Sequence, residues 1–428
     1  MTMMKRILGF SALTLLLLSA ASCRMSSVEW VDFSDLDVDK SFIPFYTTMG
    51  DFDSKAMASC SVPGGETVGE VIETETKTTS TTGAGLFTSL ISMWRSAQIV
   101  SYCGSYMSTD IDGKPIRLSG RIVLPADGKV SRIMVATHFT IAADREAPSN
   151  SVTMESMFAA RGIAVIEPDY IGYGVTADRI HPYLCSDVTG RNVVDMYFAA
   201  LPFLKKIGRM PQYDDIYILG YSQGGAVAVT TAQEFEFRHP EVKIRLTMCG
   251  GGPYDICTTY DTLVDNDYTD IPCGVPLIIQ GMNEGARLNL DYSKFFVPHV
   301  ADNMDEWLNS KKYTVSQVTE MIGSHHISDM LTPAARDKAK DLMTDLYRAM
   351  VDNSVINEWI PLSPMYMFHS IDDNVVPYIN CVQMQDKMIG YNVTFNCGHY
   401  GNHQAGCLRF MFSCLDLLKE HGDIDWSI

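Results

Sequence analysis

Ile216-Tyr217-Ile218-Leu219-Gly220-Tyr221-Ser222-Gln223-Gly224-Gly225 runs directly into Ala226-Val227-Ala228-Val229. Its opening is a short apolar run with β-branched and aromatic side chains, which predicts a buried strand. The alanine-rich end predicts a helix. Between them Gly220, Ser222 and Gly224 spell G-x-S-x-G, the pattern of a nucleophile elbow. Such a turn strains the serine backbone and pushes its hydroxyl outward. The residues two before and two after it must be small, because strand and helix nearly touch. The helix starting at Gln223 would aim its free N–H groups and positive dipole end at a developing oxyanion. An ordinary strand–helix turn can carry the same five residues. The catalytic reading therefore requires an acid and then a histidine after Ser222.

The rest of the chain supports a large α/β fold. It has 428 residues, 46% hydrophobic and 20% charged, enough for one large domain with insertions or for two domains. The net charge of −18 argues against a nucleic-acid partner. Residues 98–109 and 116–124 are β-rich runs separated by Asp112-Gly113, a hairpin signal. Residues 132–139, 162–166, 215–219 and 244–248 read as buried strands, with helices over 151–160 and 192–207. Alternation of this kind predicts a mostly parallel sheet wrapped by helices.

The alternation stops at 253 and resumes at 362. The intervening 253–361 carries helical signals, among them a capping box at Thr314 and Gln317 and an N-cap at Thr332-Pro333 leading toward Ala339, Met343, Leu346 and Met350. It reads as a helical cap inserted into a core formed by 96–252 and 362–428. Residues 364–369 and 392–395 then read as strands, with helices over 378–389 and 405–420. Residues 23–95 show no strong period and read as an N-terminal extension or linker, with Gly64-Gly65 and the Thr/Ser-rich 74–82 as loops.

Residues 1–22 have the composition of a signal peptide. Lys5 and Arg6 form a positive start, and 7–18 is an apolar run short for a membrane span. The end, Leu18-Ser19-Ala20-Ala21-Ser22-Cys23, resembles a bacterial lipobox with Ala20 in place of the usual leucine. That resemblance implies lipidation of Cys23 and a membrane-anchored lipoprotein on the periplasmic or outer surface of a bacterium. Plain secretion after cleavage near Ala21 and a retained anchor are the alternatives. Ten cysteines remain, an even number suited to disulfides in an oxidising compartment. Cys249 and Cys257, and Cys397 and Cys407, are close in sequence, but spacing assigns no partner. Buried free thiols would fit the composition equally.

After 364–369 comes Ser370-Ile371-Asp372-Asp373-Asn374-Val375-Val376-Pro377. It resembles the H-G-x-x-D-x-x-V-P segment of α/β hydrolases, with Ser370 in place of glycine. Further back, Pro168-Asp169-Tyr170-Ile171-Gly172-Tyr173-Gly174 followed by His181-Pro182-Tyr183 resembles exported lipases and esterases of that superfamily. The likeness runs from 117 to 418, the insertion excepted. It implies an α/β-hydrolase fold, a mostly parallel central sheet with an inserted helical cap, and cleavage of carboxylic esters, lipid or small-molecule, without a metal or organic cofactor.

Carried over residue by residue, the resemblance makes Ser222 the nucleophile and Asp373 the acid, with Asp372 and then Asp255 as competitors. Cys397-Gly398-His399-Tyr400-Gly401-Asn402-His403 offers two bases. His403 is favoured because it precedes the small residues that open the last helix, with His399 as the alternative. The oxyanion hole would use the N–H of Gln223 and that of Thr140, with Phe139 second, since His138-Phe139-Thr140 stands where the family has H-G-x. Asp169 and His181 read as structural. His325-His326 suggests a metal only weakly, because adjacent helical residues diverge.

Two other functions fit the same residues. An exopeptidase would use the same machinery, with the acidic Asp261, Asp265, Asp267 and Asp270 of the insertion binding a free amine. An inactive ligand-binding lipoprotein would leave the full Ser, Asp and His set without a purpose.

Overall fold

The computed structural model describes residues 37–78, 96–356 and 359–424. The signal segment, Cys23 and all of 79–95 lie outside the described residues.

Nine strands make one sheet: β1 (Ile43–Phe52), β2 (Ala97–Thr109), β3 (Pro115–Pro125), β4 (Ile133–Thr137), β5 (Ala164–Pro168), β6 (Ile216–Tyr221), β7 (Ile244–Gly250), β8 (Met365–Ser370) and β9 (Val393–Gly398). Their spatial order is β1-β2-β3-β5-β4-β6-β7-β8-β9. Joints from β1 to β5 are antiparallel, and those from β5 to β9 are parallel. The helices are α1 (Ser54–Ser59), α2 (Val68–Thr78), α3 (Ser156–Ala159), α4 (Ser186–Lys206), α5 (Gln223–Arg238), α6 (Ile256–Asn266), α7 (Gly274–Ala286), α8 (Pro298–Ala301), α9 (Val315–Ile322), α10 (Pro333–Arg336), α11 (Lys340–Asn353), α12 (Ile379–Met388) and α13 (His403–Glu420). This is an α/β-hydrolase fold.

The side-chain period of two decides how the sheet is covered. In β6, Ile216 and Ile218 enter one apolar cluster, while Tyr217, Leu219 and Tyr221 enter the other. In β4, Ile133 and Val135 face the first, and Met134 and Ala136 the second. Phe203 of α4 and Phe235 of α5 cover one face, and Phe410 and Leu415 of α13 cover the other. Ile218 and Leu219 are fully buried, and each side chain contributes about 1.5–3 kcal/mol of transfer free energy. The central strands are apolar on both sides for this reason.

Three expectations change. Residues 43–52 are not part of an extension, because β1 pairs along β2 and completes the sheet edge. Helix 151–160 shrinks to α3. The run from Thr332 to Met350 is two helices, with Lys338 in the left-handed region between them.

Between β7 and β8 the described residues form α6 to α11 and no further strand of the sheet. The capping box of α9 is present, with Thr314 Oγ1 accepting from Gln317 N at 3.3 Å and Gln317 Oε1 from Thr314 N at 3.0 Å. Buried side chains of α7 and α11, such as Ile278 and Met350, join the apolar cluster under α5. No helix among the described residues is long and apolar enough to cross a membrane.

Candidate active site

In a doubly wound sheet, ligands bind beyond the carboxyl ends of the parallel strands, where strand order reverses. β4 ends at Thr137, β6 at Tyr221, β8 at Ser370 and β9 at Gly398. Each candidate functional residue lies just past one of these ends.

Ser222 sits between β6 and α5 at φ 59°, ψ −127°, a conformation that L-residues rarely adopt. The flanking glycines are required by contact. A Cβ on Gly220 would lie 2.1 Å from Gly224 O, and one on Gly224 only 2.0 Å from Thr137 O. Thr137 Oγ1 lies 2.9 Å from Leu219 O and 2.8 Å from Gly224 O, so one hydroxyl ties the end of β4 to the turn.

His403 opens α13, where Asn402 Oδ1 caps the helix by accepting from Ala405 N at 3.1 Å. Its Nε2 is 2.8 Å from Ser222 Oγ, and its Nδ1 is 2.6 Å from Asp373 Oδ2. The other oxygen of Asp373 accepts from Val375 N at 2.9 Å and Val376 N at 2.8 Å. Burial alone would raise the Asp373 carboxyl, but His403, His369 and the loop N–H groups outweigh it and hold it below its ordinary value. The acid therefore stays ionised next to the imidazole.

The competing residues pair with each other. His399 Nδ1 is 2.7 Å from Asp372 Oδ1, both exposed. Asp255 caps α6, accepting from Thr258 N at 3.0 Å.

Gln223 is the first residue of α5, so its N–H has no acceptor within the helix. Its side-chain Nε2 donates to His181 Nε2 at 2.8 Å, leaving His181 Nδ1–H to donate to Ile171 O at 2.7 Å. Burial, then Lys311, lowers His181 to about 3, so the ring is neutral. Thr140 lies on the loop after β4, its Oγ1 2.7 Å from Tyr183 Oη. That loop is held by His138, whose Nδ1 is 2.6 Å from Phe139 O, whose Nε2 is 3.1 Å from Asp169 O, and whose ring stacks on Tyr170 at 4.0 Å. Burial lowers His138 to about 4. Asp169 accepts from Ser119 Oγ at 2.6 Å and from Ser149 N at 2.7 Å. The P-D-Y and H-P-Y segments thus brace the loops on either side of Ser222.

Three supporting residues escaped sequence reasoning. Ser370 donates from Oγ to Gly401 O at 2.6 Å and accepts from Tyr400 N at 3.1 Å, joining the acid and base loops. Tyr221 donates to His403 O at 2.9 Å. His369, with Nε2 2.9 Å from Val376 O, stands 3.6 Å from Asp373 Oδ2. Ser370 left a signal as the residue departing from glycine, and His369 as the histidine that opens the H-G-x-x-D-x-x-V-P segment.

The weaker sites are occupied by structural bonds. His325 Nδ1 meets Thr269 O at 2.9 Å and His326 Nδ1 meets Asp267 O at 3.0 Å. Among the described residues no three His, Cys, Asp or Glu side chains cluster as a metal site. In the insertion, Lys338 Nζ pairs with Asp265 at 2.8 Å and Asp261 at 3.3 Å, Ser328 donates to Asp267, and Tyr268 Oη donates to Asp270 at 3.0 Å. Those carboxylates have partners within their own segment.

Comparison with known proteins agrees with the fold. The chain resembles the rice cell wall degrading esterase LipA from Xanthomonas oryzae, with 17% identity, TM-score 0.67, and coverage of 89% of this chain and 97% of the other. A Legionella pneumophila protein gives 16% identity and TM-score 0.68 over the same shares. Lipase A of Candida antarctica in its closed state gives 14% identity and TM-score 0.53, over 76% and 79%. No curated protein matches the chain. The family of secretory lipases matches residues 148–412, a span that runs from the Ser149 brace through the elbow and the acid loop to α13. The chain belongs to the secretory lipase family, whose activity is the hydrolysis of esters.

Proposed function

We propose that this protein is an exported serine hydrolase that cleaves carboxylic esters through an acyl-enzyme. The observation that carries the reading is the relay from Ser222 Oγ to His403 Nε2 at 2.8 Å and from His403 Nδ1 to Asp373 Oδ2 at 2.6 Å. His403 takes the Ser222 proton as Oγ attacks the acyl carbon, then gives it to the departing alcohol. Asp373 keeps the proton on Nδ1 and stabilises the imidazolium. The N–H groups of Gln223 and Thr140 receive the oxyanion. Water, activated by His403, then releases the acid and restores Ser222.

Residues 253–361 act as a cap over this site, inserted between 96–252 and 362–428. The lipobox-like end of 1–22 makes Cys23 the lipidated residue, which anchors the enzyme to a membrane and places it on the periplasmic or outer surface of a bacterium. Membrane partition that is lost in Cys23→Ser tests the anchor.

A fluorophosphonate probe should label the purified protein at Ser222, and Ser222→Ala should abolish both labelling and p-nitrophenyl ester hydrolysis. An alanine variant that keeps turnover would end the reading.

A further inference from the structure

Ten cysteines are described, and all are thiols. The pairs near in sequence do not meet as partners. Cys249 Sγ faces Tyr366 O at 3.6 Å and Cys257 Sγ faces Tyr347 O at 3.7 Å. Cys397 turns away from Cys407 toward Cys381, with 3.2 Å between the sulfurs. Cys381 is buried in the first turn of α12, and Cys397 is half-buried on β9, opposite His369 of β8. We infer that Cys381 and Cys397 close as a disulfide in the exported enzyme, linking the helix after the acid loop to the strand before the base loop.

The placement gives this bond a consequence. Asp373 lies between β8 and α12, and His403 follows Cys397 by one short loop. A covalent link between α12 and β9 therefore closes the frame that holds the acid against the base. The surroundings also suit the chemistry. The Cys381 thiol, with the Tyr378 hydroxyl and the His369 N–H, outweighs burial and lowers the half-buried Cys397 thiol below its ordinary value, which favours the thiolate.

The oxidant is a disulfide, either a small molecule such as oxidised glutathione or a protein. The Cys397 thiolate attacks one of its sulfurs, expels the other as a thiolate and forms a mixed disulfide. Cys381 loses its proton to solvent and attacks Cys397 Sγ, expelling the second thiolate. One donor S–S bond is exchanged for the Cys381–Cys397 bond. Two electrons and two protons pass to the oxidant. The inference rests on the export reading, since a reducing cytosol would keep both thiols.

The full chain recovered from the exported fraction without reductant is alkylated under denaturing conditions and digested. A linked Cys381–Cys397 peptide is expected, with the other eight described cysteines alkylated. Purified enzyme equilibrated with oxidised glutathione should melt about 4 °C higher than enzyme in dithiothreitol. The Cys381→Ser, Cys397→Ser double variant should show no such difference. Alkylation of both thiols after oxidised glutathione, or glutathione retained on Cys397 beside a free Cys381, overturns the inference. Those outcomes are read on wild type and do not depend on the variant folding. A linked peptide in the glutathione sample but not in the exported fraction overturns closure in the exported enzyme, whereas absence of the chain from the exported fraction removes the export reading instead. Fluorophosphonate labelling of Ser222 in either redox state reports the hydrolase reading separately.

Discussion

Replacing Asp373 by asparagine tests the acid with little change of shape. In the native loop, Oδ1 accepts from Val375 N and Val376 N, while Oδ2 accepts from His403 Nδ1. An asparagine must keep its carbonyl oxygen toward the two backbone donors, because an NH₂ there would oppose two N–H groups. Its NH₂ is then forced to face His403 Nδ1. The imidazole has to present a lone pair on Nδ1 and carry its proton on Nε2, 2.8 Å from Ser222 Oγ. A protonated Nε2 cannot take the serine proton. The same exchange in a serine protease triad costs about 10⁴ in kcat, about 5 kcal/mol of transition-state stabilisation. We expect that loss in p-nitrophenyl ester turnover, with an unchanged circular dichroism spectrum. Asp372→Asn disturbs only the exposed pair with His399, whose worth is about 0–1 kcal/mol, and should keep kcat within about fivefold. An Asp373→Asn enzyme within tenfold of wild type would refute the argument, and a collapse in Asp372→Asn would move the acid by one residue.

The two histidines should separate as sharply. His403→Ala is expected near the Ser222→Ala background, a loss of about 10⁵ or more, whereas His399→Ala keeps kcat within about tenfold; a reversed order in steady-state assays would make His399 the base. Burial, then the charge of Glu155, raises Glu167 from 4.5 to about 8. Between those values the folded chain holds a proton that the unfolded chain has released, so the stability it lends is complete below pH 4.5 and lost as pH rises toward 8. Urea unfolding from pH 5 to 8 should show Glu167→Gln declining less steeply, by up to about 1.4 kcal/mol per pH unit; parallel curves would count against this. Near the carboxyl end, Asp423 meets Arg245 Nε at 2.8 Å and also Arg132 and Tyr217, with its side chain and that of Arg132 buried. Asp423→Ala leaves Arg132 and Arg245 sharing only Asp215 and should cost about 2 kcal/mol in unfolding free energy through the lost charge-assisted hydrogen bonds, and a loss below 0.5 kcal/mol would show the cluster to be solvated.

Some of this protein was legible in one dimension. Central strands buried on both faces write themselves as short apolar runs, so β4 to β7 stood out. The glycines around Ser222 were legible because backbone contact there excludes any Cβ, and the capping box at Thr314 because its bonds span only three residues. β1 was hidden by being an edge strand, seven of whose ten residues are exposed or intermediate. α10 and α11 were merged because nothing in the composition marks Lys338 as left-handed. Tertiary structure alone decided which of two adjacent aspartates meets which of two histidines. In a loop, neighbouring side chains point to different sides, so Asp373 and His403 turn inward to Ser222 while Asp372 and His399 turn to solvent. It also decided that Cys397 meets Cys381 across a strand–helix crossing rather than a nearer cysteine in sequence. Contacts between segments that are joined only through the sheet depend on the registry of β8 with β9, and that registry leaves no mark on the local order of residues.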